Sequence, residues 1–67
     1  MYLAEIYNYV VSEYQLVYDL DGKTILAFDT REAASRFLCI CRGIASGYVI
    51  SPIPDGLLEQ YKCRVIY

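Results

Sequence analysis

The stretch "DTREAASRFLCICRGIAS", Asp29 to Ser46, carries the one strong helical pattern in the chain. Asp29 or Thr30 can accept a backbone N–H as N-cap. If Asp29 is the cap, Glu32 falls at the reciprocal capping-box position and Phe28 can staple onto Ala33. Gly43 and Gly47 are both candidate stops, and Gly47 is preferred because Ile44 and Ala45 keep the helical phase. At about 100° per residue, Ala33, Ala34, Phe37, Leu38, Ile40, Cys41, Ile44 and Ala45 form one apolar arc, expected to be the buried face. Arg31, Glu32, Ser35, Arg36, Cys39, Arg42 and Ser46 occupy the remainder. Cys39 is therefore expected in water, and Cys41 near the centre of the apolar stripe.

Everything around this helix reads as strand. Residues 2–11 are rich in tyrosine and β-branched side chains, and residues 14–20 alternate, with Tyr14, Leu16, Tyr18 and Leu20 on one side. Asp21-Gly22 supplies the positive φ of a tight hairpin, so residues 24–28 are expected to return antiparallel to 14–20. After the helix, "YVIS" is a short strand, "PIPDG" (52–56) a turn, and "LLEQYKCRVIY" (57–67) a long closing strand. The expectation is a single α+β domain over 1–67: an antiparallel β-sheet of about five strands with one α-helix on one face, in the order βββαββ.

With 67 residues, such a domain sits near the lower limit for a self-sufficient core. A hydrophobic share of 57% excludes intrinsic disorder and favours dense packing or oligomerisation as the source of stability. The three cysteines, Cys39, Cys41 and Cys63, are too few for a zinc site without histidine, and there is none. No metal and no cofactor are expected, and the odd thiol count suits a reducing compartment. "MYLAEIYNYVV" lacks the basic start of a secretory signal, and the longest weakly polar run, broken by Arg42 and two glycines, is too short to span a bilayer. A cytoplasmic protein is expected, either cellular or viral.

Catalytic chemistry finds little support in these residues. Without histidine, acid–base catalysis would fall to carboxylates, tyrosine or cysteine, and none of these forms a recognisable constellation. "DLDG" (19–22) shares part of a calcium-loop pattern, yet Val17 and Phe28 stand where ligands would be needed. Cys39 lies between Arg36 and Arg42, a weak redox-sensor hint, but no base or resolving cysteine accompanies it.

The strands carry the functional signal. Assigning faces by alternation puts Leu16, Tyr18, Leu26, Phe28, Tyr61, Cys63 and Val65 toward the helix, with Val17, Asp19, Ile25, Ala27, Arg64 and Ile66 away from it. The first strand fits no one-sided pattern: Tyr2, Ala4, Ile6 and Val10 lie on one side, and Leu3, Tyr7, Tyr9 and Val11 on the other. A strand apolar on both sides needs two covering layers, and the chain supplies one helix. The missing cover could be a second copy in a homodimer, a different protein partner, or the sheet's own curl.

Tyrosine suits such a face because its ring buries well and its hydroxyl tolerates water. The expected function is a non-enzymatic protein-interaction module, acting as a stoichiometric inhibitor or adaptor through Tyr2, Tyr7 and Tyr9, with Arg31, Arg36 and Arg42 on the helix as a second surface. Small acidic proteins without catalytic motifs include phage-encoded inhibitors of host or defence machinery, such as anti-CRISPR proteins, and size and missing chemistry alone connect this chain to them. The alternative is a nucleic-acid-binding domain that stacks bases on sheet aromatics beside the helix arginines. The charge argues against it: six basic against eight acidic residues release few counterions, although residues 31–67 hold five bases against three acids.

Overall fold

The computed structural model, which describes residues 1–54 and 56–67, starts the main helix α1 (Arg31–Arg42) at Thr30 and not at Asp29. Thr30 is extended, and its hydroxyl accepts the Ala33 N–H at 3.0 Å. Glu32 is thereby one position too early to close a capping box, though a carboxylate in the first turn still opposes the positive helix end. The helix stops at Gly43, not Gly47. Gly43 takes φ +67°, and its own N–H and that of Ile44 both reach the Leu38 carbonyl. This left-handed cap closes the helix at the first glycine available and puts Ile44 and Ala45 outside it.

The strands are β1 (Tyr2–Asn8), β2 (Glu13–Leu16), β3 (Ile25–Phe28), β4 (Tyr48–Pro52) and β5 (Cys63–Ile66), with a single turn of helix, α2 (Leu57–Gln60), before the last. They form a five-stranded, mostly antiparallel sheet with α1 as its main helix, the α+β class and the βββαββ order read from the sequence. The closing segment is not one long strand, because α2 occupies its first half. Part of the "PIPDG" turn, Asp55, lies outside the described residues, while Pro52 ends β4 on the sheet edge, where its missing N–H does no harm.

β1 is the hub. β4 pairs with it from Tyr2 to Ile6 along one edge, while the other edge is divided: β3 takes Tyr2 and Leu3, and β2 takes Glu5 to Asn8. The hairpin expected between 14–20 and 24–28 is therefore mostly a hairpin between β1 and β2. Its remnant is the antiparallel bridge of Tyr18 to Ile25, closed around Gly22 at φ +71°. Tyr9-Val10-Val11-Ser12 makes the β1–β2 turn, with Ser12 at φ +55°, so Tyr9 and Val10 are not strand residues. β5 adds parallel to β3.

Register sorts the side chains. Tyr2, Ala4, Ile6, Leu26, Phe28, Tyr48, Ile50 and Ile66 pack with Ala33, Ala34 and Leu38 of α1, with Val17 joining them. Two of the expected strand phases are thus inverted. Val17 faces the helix while Leu16, paired with Glu5, faces away; Ile66 and Arg64 share the side of Phe28 and Leu26, leaving Cys63 and Val65 on the far side. On α1 the buried stripe is narrower than the apolar arc: Ile40 is 73% exposed, and Cys41 is exposed like Cys39.

The far face is not simply bare. Ile25 and Ala27 are buried, Ala27 completely (0% exposed), although both point away from α1. β3, β4 and β5 run in one direction, opposite to β1. α1 carries the chain from β3 past β1 to β4, and the connection containing α2 returns it past both strands to β5. Right-handed crossovers made in opposite directions lie on opposite faces, so the handedness rule assigns the two connections to different sides of the sheet. The missing layer inferred from the sequence is therefore half supplied by the chain itself.

The helix phase has a direct test. Leu38→Ala removes a fully buried side chain and is expected to cost about 2–5 kcal/mol, whereas Ile40→Ala should cost about 0.5 kcal/mol or less. Urea denaturation of both variants would check this, and a large loss at Ile40 would mean that the buried stripe extends to it.

Candidate interaction surface

The β1–β2 hairpin is built by local polar contacts that free its apolar side chains. The Asn8 carboxamide accepts the Val10 N–H at 2.9 Å and donates to the Gln15 side chain at 3.0 Å, fixing the turn from within. Tyr7 stands opposite Tyr14 in the ladder, on the face away from α1. Its ring meets the Tyr9 ring edge-to-face at 4.9 Å and the Tyr14 ring at 5.1 Å, the geometry in which aromatic edges and faces attract. Tyr9 is 81% exposed and Val10 at the tip 93%, with Val11 and Tyr14 also exposed. Glu5, Leu16 and Val49 continue this face, and their register places no basic side chain among them.

On the other side of the same hairpin, α1 ends too early to cover it. Ile6, Asn8, Gln15 and Val17 line an open groove of about 580 Å³, bounded by Tyr18 and by Arg42 from the last turn of α1. Arg42 donates to the Tyr18 carbonyl at 2.6 Å while its guanidinium sits 5.5 Å from the Phe37 ring centre, tying the helix end to the strand.

The six residues singled out from the sequence do not converge. Tyr7 and Tyr9 belong together in the cluster. Tyr2 points to the opposite face, under Arg31, whose guanidinium lies 4.9 Å from its ring centre and donates to the Ile50 carbonyl at 2.9 Å. Arg42 borders the groove, and Arg36 lies apart beside Phe37, Ile40, Ile66 and Tyr67. Tyr14, Val10 and Val11 complete the surface and were missed as site residues. Their signal was present as two adjacent β-branched residues between Asn8 and Ser12, a position with no folding use for them.

The "DLDG" segment has a structural task. The Asp21 carboxylate accepts the Thr24 hydroxyl at 2.6 Å and the backbone N–H groups of Thr24 and Lys23 at 2.9 and 2.8 Å. Those bonds, led by the Thr24 hydroxyl and its N–H, hold the Asp21 carboxyl down at about 2, with a smaller pull from Lys62. Asp19 is engaged by Arg64 at 3.0 Å. Because the folded-state pKa of Asp21 lies below its unfolded value, the stabilisation is complete above about pH 4 and is lost as pH falls towards 2. In acid titrations followed by circular dichroism, Asp21→Ala should flatten stability across that window relative to the wild type, and an unchanged slope would contradict the assignment.

Among the described residues, no helix is long and apolar enough to cross a membrane. Comparison with protein-family models, with curated proteins and with solved structures finds no match to this chain.

Proposed function

We infer that the chain is a non-enzymatic protein-binding module whose contact surface is the tyrosine cluster and tip of the β1–β2 hairpin. The observation that carries this reading is the packing of Tyr7, Tyr9 and Tyr14 edge-to-face on an exposed hairpin that ends in Val10 and Val11. Three tyrosines locked against one another lose little freedom on binding, and they offer apolar area with hydroxyls at its margin, the pattern enriched at binding hot spots. An exposed valine at a turn has no stabilising role, since it leaves apolar surface in water in the folded state.

The module would act by stoichiometric occupation of a partner's surface, as an inhibitor or adaptor does. The nucleic-acid reading finds less support. Arg31 and Arg42 are engaged by backbone carbonyls on the helix side, and the register puts Glu5 beside the tyrosines. Phosphates need cations where the bases stack.

The test is affinity capture from the native host's lysate with the wild type beside Tyr9→Asp and Val10→Asp. Both substitutions are on the surface and should shift stability by about 0.5 kcal/mol or less, so the variants stay folded. The expected result is a partner retained by the wild type and weakened at least tenfold by either variant. A partner held equally by all three proteins would refute the hairpin as the contact surface.

A further inference from the structure

The sheet has free edges, and they are not equivalent. On β4, the bonds of Tyr7 N–H to the Gly47 carbonyl (2.9 Å) and Ile53 N–H to the Met1 carbonyl (3.0 Å) fix which backbone groups face outward: those of Tyr48, Ile50 and Pro52. Pro52 has no N–H, and the Ile50 carbonyl already accepts from Arg31. That edge is guarded against pairing. On β2 the outward groups are those of Tyr14 and Leu16. The edge ends there, because the Val17 carbonyl accepts the Leu26 N–H at 3.1 Å.

β5 is different. Ile25 N–H bonds the Lys62 carbonyl (2.9 Å) and Asp29 N–H the Ile66 carbonyl (3.0 Å), so residues 62, 64 and 66 pair with β3. The backbone groups of Cys63, Val65 and Tyr67 point the other way, and this edge carries no proline and no covering side-chain bond among the described residues. Its side chains are those of a strand that pairs well, with Val65, Ile66 and the 83% exposed Tyr67 in succession. Arg64, the one charge within β5, is already neutralised by Asp19.

The geometry points to a second copy of this chain as the occupant, its own β5 pairing antiparallel with this one about a two-fold axis at Val65. In that register Val65 meets Val65, and Cys63 meets Tyr67 of the second copy. All three outward-facing residues bond at once, and Arg64 falls opposite Ile66 of the second copy. An axis at Arg64 would oppose two like charges and align the groups already bonded to β3, so charge and hydrogen bonding select the same register. The edge is self-complementary, as an isologous interface must be, and it lies away from the hairpin tip.

Sedimentation velocity of the full chain from about 5 to 200 μM tests this, a range that spans the modest affinity expected of a single strand pairing. The wild type is expected to pass from monomer to dimer. Val65→Pro deletes an N–H that β3 does not use, so it should stay folded by circular dichroism and raise the dissociation constant at least tenfold. A wild type that is monomeric throughout would overturn the proposal, as would a folded Val65→Pro that dimerises equally well. If that variant fails to fold, an isotope-filtered NOE experiment on mixed labelled and unlabelled wild type decides: a contact between Val65 of one copy and Val65 of the other supports the pairing, and its absence overturns it.

Discussion

A strand has two hydrogen-bonding edges, and β1 must serve three partners. The solution is to give β4 one whole edge and to divide the other, with β3 on its first residues and β2 on its last. Everything else in the architecture follows from that division. Where β3 pairs, the sheet continues to β5 and is broad enough to support α1, and the core residues Phe28, Leu26, Leu38 and Ala34 gather there. Where β2 pairs, the sheet is narrower and projects beyond the end of the helix.

A 12-residue helix spans about 18 Å, enough to cover one end of this sheet and no more. Its C-terminal cap at Gly43 sets that limit chemically, because a left-handed glycine bonded back to Leu38 leaves no helical turn to continue over the hairpin. On the far face β3 is closed as well, with Ile25 and Ala27 buried. Both faces are closed at β3, while on the hairpin Tyr7 is half-buried and Tyr14 exposed. The exposure of Tyr9 and Tyr14 is thus a consequence of topology, and the proposed interaction role would give that consequence a use.

Much of the fold was legible because it depends on local chemistry. The helix, its apolar phase at Ala33, Ala34 and Leu38, the Asp21-Gly22 turn and the element order all follow from caps, periodicity and glycine placement. What was not legible depended on distant pairing. Leu16 and Val17 are both apolar, so alternation could not choose between them, and the choice was made by the register of β2 on β1. Alternation from Cys63 and Val65 puts Arg64 on the face away from the helix, but at a sheet edge its long side chain can lie on the helix side and still reach Asp19. The turn at Tyr9–Ser12 lacks glycine and proline, and the Asn8 side chain replaces them by bonding the Val10 N–H. Of the site, Tyr7 and Tyr9 were recognisable by composition, whereas Tyr14 joined them only through pairing.

By its own residues, this chain closes both faces at β3 and neither at the hairpin tip. Methyl NMR with a soluble paramagnetic agent measures that most directly, since broadening reports how closely solvent approaches each methyl group. The Ala27 and Ile25 methyls should be protected to the same degree as those of Leu38, while the Val10 and Val11 methyls should broaden strongly. Broadening of Ala27 equal to that of Val10, or protection of Val10 equal to that of Leu38, would contradict this pattern.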